Sequence, residues 1–178
     1  MTLLSEPKVL LSRQEIAATV KRLAVEIKRD YRDKNPVLIG VLKGSLIFMA
    51  DLVRFLDFPL TVEFVTLSSY GKGTESSGKI KMVHGLRCSV SGQNVLVVED
   101  IVDSGITSAF LLEYLRKKKP ATLKMCALLD KPARRRVPVN IDYLGLTVPD
   151  KFLVGYGLDW DEKFRNLPDI CSIEVSED

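Results

Sequence analysis

One segment constrains the fold of this chain more than any other, Val95–Ser108, which reads VLVVEDIVDSGITS. Its first four residues are apolar and typical of a buried strand. Glu99 and Asp100 stand at the end of that strand, in a predicted loop over residues 99–106, and the next residues predict a helix over 107–118. A strand that leads through a short loop into a helix is characteristic of a β–α unit, which favours a parallel sheet.

The rest of the chain also alternates predicted helices and strands. Ser12 and Glu15 form a capping-box pattern at the start of a helix that ends near residues 30–35, and a second helix is predicted over 46–55. Further strands are predicted over residues 37–42, 61–67, 123–129, 143–148, 152–156 and 171–175. We therefore expect an α/β fold, with helices on both faces of a parallel sheet and the ligand site beyond the carboxyl ends of its strands.

Residues 68–81 have a different composition, SSYGKGTESSGKIK. Such a long polar stretch rich in Gly and Ser is typical of a mobile lid or binding loop in a compact domain. The 178 residues predict a single domain over 1–178, at ~150 residues per domain.

Composition excludes several classes of protein. A net charge of +3 is too small to indicate a nucleic-acid partner. The sequence contains no apolar run of the ~18–20 residues that a membrane span needs, and residues 1–8 lack a signal-peptide pattern, so we expect a cytoplasmic protein. Cys88, Cys126 and Cys171 are far apart without a C-x-x-C pair, which argues against zinc and disulfides. Cys126 and Cys171 are expected in the core, and the lone His84 excludes a two-imidazole site.

The turn that follows Glu99 and Asp100 is suited to an anion. Asp103, Ser104 and Gly105 precede a helix N-terminus, whose free N–H groups and partial positive charge favour a phosphate. Two carboxylates beside such a cradle would repel the phosphate unless they accept hydrogen bonds from sugar hydroxyls or hold a hard cation such as Mg²⁺.

On these residues, the chain resembles the type I phosphoribosyltransferases, whose motif for binding phosphoribosyl pyrophosphate is similar to VLVVEDIVDSGIT. Four further segments resemble the hypoxanthine-guanine branch of that family: GVLKGSLIFMADL, SSYG, LLDKPARR and PDKFLVGYGLDWDEKFRNLP. The resemblance runs from about residue 9 to residue 175, and Ile106 lies where mammalian members have Lys, so the form is similar to the bacterial one.

The resemblance implies a fold and an activity. The fold is a parallel-sheet core flanked by helices, with a small hood and the mobile lid. The activity is Mg²⁺-dependent transfer of 5-phosphoribosyl from phosphoribosyl pyrophosphate to N9 of hypoxanthine or guanine, giving IMP or GMP and pyrophosphate in purine salvage. It implies no organic cofactor and a homodimer or homotetramer. It leaves the preference among hypoxanthine, guanine and xanthine open.

The resemblance also implies where the phosphates, the ribose and the metal bind. The 5′-phosphate would lie on the loop formed by Asp103, Ser104, Gly105, Ile106, Thr107 and Ser108. The ribose hydroxyls would face Glu99 and Asp100. Pyrophosphate would contact Lys43, Gly44 and Arg165. Mg²⁺ would be held by Glu99, Asp100 and Asp159. The family has a cis peptide at the matched bond, Leu42–Lys43, which the sequence itself cannot show.

For the base, the matched residues are Lys131, Phe152, Leu153 and Asp159. The Lys131 ammonium has donors only, so it would favour the 6-oxo group of hypoxanthine or guanine over the amino group of adenine. Asp103 matches the acid–base residue that lies beside N7 of the purine. Ser69 and Tyr70 match the start of the lid, whose closure would exclude water from the reaction.

Two other functions remain open at this point. One is an RNA-binding regulator built on the same fold, although its motif generally lacks the acid matched by Asp103, and a stronger basic face would be expected. The other is a nucleotide-binding module without activity. The pattern G-x-x-x-x-G-K-[ST] does not occur, which argues against a P-loop NTPase. Arg134, Arg135 and Arg136 are expected to form a solvated surface.

Overall fold

The structure is a computed structural model that describes residues 5–69 and 80–176. The described residues form three α-helices, which are α1 (Arg13–Tyr31), α2 (Leu46–Phe55) and α3 (Ile106–Arg116), and a short 3-10 helix at Pro132–Arg134. The strands are β1 (Lys8–Leu11), β2 (Val37–Leu42), β3 (Thr61–Ser69), β4 (Ile80–His84), β5 (Asn94–Val102), β6 (Thr122–Asp130), β7 (Tyr143–Thr147), β8 (Phe152–Val154) and β9 (Ile170–Ile173).

The capping box at the start of α1 is confirmed. The Ser12 hydroxyl accepts a hydrogen bond from the backbone N–H of Glu15, and the Glu15 carboxylate accepts one from the backbone N–H of Ser12. These two bonds satisfy N–H groups that a helix start would otherwise leave without partners. The sequence pattern therefore fixes the point where the first helix begins.

Six strands form the central sheet in the order β4-β3-β2-β5-β6-β7. Neighbours from β3 to β7 run parallel, and β4 is an antiparallel edge strand beside β3. The predicted parallel sheet is confirmed. Because parallel strands end at one edge, the residues that follow β2, β5 and β6 are brought together there.

Helices cover both faces of the sheet, as the sequence predicts. Leu38 and Leu96 pack against α1 and α2 on one face. Ile39 and Val97, one residue further along the same strands, pack with α3 on the other. Side chains that alternate between two apolar layers explain why these strands read as continuous apolar runs.

A second, three-stranded antiparallel sheet has the order β1-β9-β8 and corresponds to the expected hood. It packs a small core that includes Val154, Cys171 and Ile173. Cys126 and Cys171 are buried free thiols, as expected, and His84 is exposed on β4. Among the described residues, no helix combines the length and the apolar character needed to cross a lipid bilayer.

The structure corrects several predicted boundaries. β5 continues to Val102, so Glu99 and Asp100 lie within the strand and not in a loop, because its pairing with β6 extends as far as Val102 opposite Asp130. Four residues of the loop predicted over 68–81 belong to strands, since β3 includes residues 68 and 69 and β4 includes residues 80 and 81. Tyr70, with the rest of 70–79, lies outside the described residues. The short strands β1 and β4 were missed.

Candidate active site

A cavity of about 410 Å³ opens at the edge where the parallel strands end. Its walls come from the loop after β2, the end of β5 with the start of α3, the end of β6, strand β8 and the turn that follows it. The lining residues are Val41, Leu42, Lys43, Gly44, Leu67, Glu99, Asp100, Ile101, Asp103, Ser104, Gly105, Thr107, Ser108, Lys131, Arg134, Phe152, Leu153, Leu158, Asp159 and Arg165.

The 103–108 loop, between β5 and the first turn of α3, is held by its backbone. The Ser104 carbonyl accepts hydrogen bonds from the N–H groups of Arg136 at 2.9 Å and Val137 at 3.0 Å. Gly105 has φ +82°, and a Cβ at this position would overlap the Val137 carbonyl oxygen. Only glycine adopts this conformation readily and also allows so close an approach, so the loop has one well-defined shape.

Arg135 is the residue that fixes this loop from behind, and its predicted place on a solvated surface is wrong. The Arg135 side chain is only 18% exposed. Its Nε donates to the Asp103 carbonyl at 3.0 Å, and its Nη2 donates to the Val102 carbonyl at 3.1 Å and pairs with Asp130. A planar guanidinium can make these bonds together, which explains why a run of three arginines contains one that is mostly buried.

The Asp103 carboxylate faces the cavity and does not cap α3. Gly105 is the N-cap of that helix, so a side-chain cap is absent there. Oδ1 of Asp103 is buried and has no hydrogen-bond partner among the described residues, and Nε of Arg134 lies 4.0 Å from it. A buried acceptor without a partner at a cavity wall is positioned to accept a hydrogen bond from a ligand.

Glu99 and Asp100 place two carboxylates side by side at the floor of the cavity. Glu99 is 4% exposed, and the hydroxyl of Ser108 lies 3.5 Å from its Oε1. Burial, with the neighbouring Asp100 charge, raises the pKa of Glu99 well above its usual range. Burial also raises the pKa of Asp100 to about 6. Burial therefore makes ionisation of both carboxylates costly, and the charge of Arg165 offsets this only in part at Asp100.

The loop after β2 brings Lys43 and Gly44 to the same edge, and the Leu42–Lys43 peptide bond is cis. A Cβ at Gly44 would overlap the Asp100 carboxylate, and a Cβ at Gly157 would overlap the Gly44 carbonyl oxygen. The loop after β2 therefore packs directly between β5 and the turn that contains Gly157.

The 157–165 turn carries the remaining charged groups. Arg165 donates from Nη1 to the Gly157 carbonyl at 2.9 Å and pairs through Nη2 with Asp159 at 2.8 Å. The other Asp159 oxygen accepts the backbone N–H of Glu162 at 2.9 Å. Glu162 also pairs with Lys43 at 2.8 Å. The backbone of this turn is held by hydrogen bonds from Gly157 to Arg165 and between Trp160 and Lys163, while ion pairs join its charged side chains to one another and to Lys43.

Lys131, Phe152 and Leu153 line a further part of the cavity. Lys131 is 4% exposed, which excludes a solvated lysine at a strand end. Its Nζ donates to the Lys151 carbonyl at 2.8 Å and has further protons to donate. Phe152 is partly buried against the hood core and also lines the cavity. An aromatic ring beside a donor-only cation can bind a flat heterocycle that presents acceptors.

A family model described as phosphoribosyl transferase domain matches residues 8–161. The chain belongs to this family. It is 51% identical over 168 residues to a hypoxanthine-guanine phosphoribosyltransferase of Aquifex aeolicus, covering 94% of each chain. It is 48% identical over 161 residues to the enzyme of that name from Bacillus subtilis, covering 90% of this chain and 89% of the relative. A crystal structure of a hypoxanthine-guanine phosphoribosyltransferase from Bacillus anthracis superposes with a TM-score of 0.90 at 46% identity. The match covers 95% of this chain and 100% of that crystal structure's chain.

These relatives lie within the hypoxanthine-guanine branch of the phosphoribosyl transferase family, so the resemblance and the fold class stated from the sequence are confirmed. Enzymes of this family are in general Mg²⁺-dependent. In residues 5–69 and 80–176, no group of three or more His, Cys, Asp or Glu side chains is arranged to hold a metal by itself. The neighbouring carboxylates of Glu99 and Asp100 nevertheless fit Mg²⁺, which proteins often hold through one or two carboxylates together with substrate phosphates.

Nearly all residues that the resemblance implied line this one cavity. The one exception among the residues with described side chains is Ile106, which lies on an adjoining depression with Arg134–Arg136, whereas the side chain of Ser69 lies outside the described part of the structure. Tyr70 lies outside the described residues. The sequence reasoning missed the lining residues Val41, Leu42, Leu67, Ile101, Arg134 and Leu158. Most of the apolar ones directly adjoin predicted residues, which is the signal that could have found them.

Proposed function

We propose that this protein transfers the 5-phosphoribosyl group of phosphoribosyl pyrophosphate to N9 of hypoxanthine or guanine, which places it in purine salvage. The observation that carries the proposal is the position of Lys131. Its buried ammonium lies in the same cavity as the 103–108 loop and the Lys43 and Arg165 cations. A donor-only group for the base and two separate phosphate-binding regions together match a phosphoribosyl donor and a 6-oxopurine acceptor.

Lys131 is proposed to read the base. Its Nζ would donate to O6 of hypoxanthine or guanine, while the amino group of adenine would leave that buried donor without an acceptor. Phe152 would stack on the purine ring, and Leu153 and Asp159 would contact its edge. Because a mismatched polar group in a buried site is costly, this arrangement supports strong discrimination against adenine.

The two ends of the donor are proposed to bind different regions. The 5′-phosphate would lie on the 103–108 loop, where backbone N–H groups at the start of α3 face the cavity. Glu99 and Asp100 would accept hydrogen bonds from the ribose hydroxyls. Pyrophosphate would bind the Lys43 ammonium, the backbone of Gly44 and the Arg165 guanidinium. This orientation directs C1′ towards the purine.

In the transfer, the bond from N9 to C1′ forms as the bond from C1′ to the pyrophosphate oxygen breaks. Positive charge develops on the ribose, and negative charge on the departing pyrophosphate is stabilised by Lys43 and Arg165. The buried Oδ1 of Asp103 would accept the imidazole proton of the purine at N7. No covalent bond to the enzyme is needed, and Ser69 and Tyr70 are proposed to begin the lid that excludes water.

Mg²⁺ is proposed to be held by Glu99 and Asp100, with Asp159 acting through water because both of its oxygens already have partners. The ion would supply positive charge next to pyrophosphate. A single domain, a homodimer or homotetramer and a cytoplasmic location stay predictions, and light scattering of the purified protein would test the oligomeric state.

The experiment is nucleotide formation from phosphoribosyl pyrophosphate and Mg²⁺, with hypoxanthine, guanine, xanthine, adenine and uracil assayed in parallel. We expect turnover of 6-oxopurines and none of adenine or uracil, and the relative rates rank the bases. Activity on uracil alone, or on no base, would contradict the proposal, and RNA binding would then be measured.

A further inference from the structure

One carboxylate in the cavity region has no role in the proposed reaction. Oε2 of Glu162 lies 2.8 Å from Nζ of Lys43 and 3.4 Å from Nη2 of Arg165. A single oxygen atom therefore bridges two cations that approach each other from distant parts of the chain. Under the proposed function, Lys43 and Arg165 are the side chains that bind pyrophosphate.

The backbone around Glu162 has an unusual conformation that determines where this side chain lies. Asp161, Glu162 and Phe164 all have left-handed conformations, with φ of 51°, 62° and 72°. Such conformations are uncommon for residues other than glycine and persist where the surroundings impose them. Here the N–H of Glu162 donates to Asp159 at 2.9 Å, and Trp160 and Phe164 pack against the hood core.

The ion pair itself is weak enough to be exchanged. The side chains of Lys43 and Glu162 are 63% and 64% exposed. Ion pairs in water contribute little to stability, so this one is a poor structural support for the turn. The two cations lower the pKa of Glu162, with the Lys43 hydrogen bond as the larger cause, so the carboxylate is ionised at neutral pH.

We propose that the Glu162 carboxylate is an internal stand-in for a pyrophosphate oxygen. In the ligand-free protein it binds Lys43 and Arg165, and it occupies donors and positive charge that pyrophosphate would otherwise use. This inference rests on the proposed function and adds to it, because Glu162 competes with pyrophosphate at the same cations. The competition weakens pyrophosphate binding and so favours release of that product.

The neighbouring residue supplies a matched control. Asp161 lies in the same turn, has the same left-handed conformation, and carries a carboxylate that pairs with Lys163 at 3.3 Å. Asp161→Asn therefore removes one negative charge from the turn without breaking a contact to Lys43 or Arg165. A difference between this variant and Glu162→Gln isolates the direct contact from long-range repulsion.

The test is calorimetric titration of wild type, Glu162→Gln and Asp161→Asn with inorganic pyrophosphate in the presence of Mg²⁺. Because the carboxylate contacts to Lys43 and Arg165 are lost, Glu162→Gln should bind pyrophosphate about three- to tenfold more tightly than wild type. Asp161→Asn should bind less than about twofold more tightly. Equal affinities of the two variants, or weaker binding by Glu162→Gln, would overturn the inference.

Two further readouts keep the outcomes separate. Thermal unfolding of Glu162→Gln should match wild type, because the exposed pair adds little stability. In the reverse reaction the KM for pyrophosphate should fall in Glu162→Gln and stay close to wild type in Asp161→Asn. If all three proteins fail to bind pyrophosphate, the proposed function itself fails; if all three bind it equally, only the role of Glu162 fails.

Discussion

The 103–108 loop and the 157–165 turn both face the cavity and both have backbone hydrogen bonds, but the groups that would bind phosphates are held differently in the two regions. The loop is held by backbone hydrogen bonds from Arg136 and Val137 and by the largely buried Arg135 guanidinium. The charged side chains of the turn and of Lys43 are instead connected by ion pairs, of which the one between Lys43 and Glu162 is mostly exposed. The proposed phosphate-binding groups of the loop are backbone N–H groups fixed by the fold, whereas the cations at the turn can exchange their side-chain partners.

The difference matches the proposed fates of the two phosphate groups. The 5′-phosphate stays on the product nucleotide, so a preformed cradle binds donor and product alike. Pyrophosphate must leave, and cations that can return to an internal carboxylate allow it to do so. Binding groups organised before the reaction cost no rearrangement in the transition state, which is the advantage of the rigid side.

The largest expected effect comes from Asp103→Asn, which tests whether the rigid loop separates binding from chemistry. We expect kcat to fall about 10²- to 10⁴-fold, because the proton acceptor is lost. The KM for phosphoribosyl pyrophosphate should change little, since backbone contacts hold the loop. Initial rates with saturating hypoxanthine measure both, and an unchanged kcat would remove Asp103 from the chemistry.

Gly105→Ala tests how closely the loop is packed. A Cβ there would overlap the Val137 carbonyl oxygen, so we expect a loss of about 3 kcal/mol of unfolding free energy and much weaker binding of phosphoribosyl pyrophosphate. Gly92→Ala is the control, because Gly92 also has a positive φ of 71° but nothing within 4 Å of the added Cβ. The control should lose only about 1 kcal/mol in urea denaturation. Equal losses would show that packing of the loop does not matter.

Arg135→Met tests the support behind the loop. The substitution leaves Asp130 without its cation and removes two donors to backbone carbonyls, so we expect a loss of about 2 kcal/mol and a higher KM for phosphoribosyl pyrophosphate. Arg136→Met is the control, because Arg136 contacts Ser104 through its backbone N–H and its side chain is exposed. Similar losses in both variants would contradict a specific role for Arg135.

Asp100→Asn gives the smallest expected change in unfolding free energy, and this variant should be more stable than wild type, not less stable. Since the pKa of Asp100 is raised from 3.8 to about 6, the folded state binds a proton more tightly than the unfolded state. Stability therefore falls as pH rises from about 4 to 6, and the ligand-free variant should be about 1–2 kcal/mol more stable than wild type at pH 7.5.

At pH 4 that advantage should disappear, because Asp100 is protonated in the folded wild type. Thermal unfolding at both pH values measures the effect. A variant that is less stable than wild type at pH 7.5 would show that the carboxylate is compensated within the protein. The same variant should bind Mg²⁺ and phosphoribosyl pyrophosphate poorly, which connects the stability cost to function.

The parts of the fold that follow from local pattern were predicted well. The capping box at Ser12 and the apolar runs at 37–42 and 123–129 fall within or next to the observed elements. Prediction was poorer where tertiary pairing decides the outcome. Glu99 and Asp100 interrupt an apolar run and were placed in a loop, yet pairing with β6 continues through them.

The site residues also divide into those that local sequence motifs predict and those that depend on tertiary contacts. Motif resemblance found residues that share the cavity, because the motif residues follow strands that end at one edge. It could not show that Arg135 is largely buried, since three consecutive arginines read as a solvated surface. Nor could it find the contact of Glu162 with Lys43, which joins residues far apart in the sequence and depends on the left-handed backbone of the turn.

The contrast between the two phosphate regions is tested most directly by amide hydrogen exchange, resolved by residue, in the ligand-free protein and in the presence of pyrophosphate and Mg²⁺. The amides of Arg136 and Val137 report on the 103–108 loop through their bonds to Ser104, and the amide of Glu162 reports on the turn through its bond to Asp159. We predict that Arg136 and Val137 exchange slowly and are unaffected by pyrophosphate, and that Glu162 exchanges faster and responds to it. Exchange at Arg136 and Val137 as fast as at Glu162, or as responsive to pyrophosphate, would contradict the contrast between a rigid and an exchangeable phosphate region.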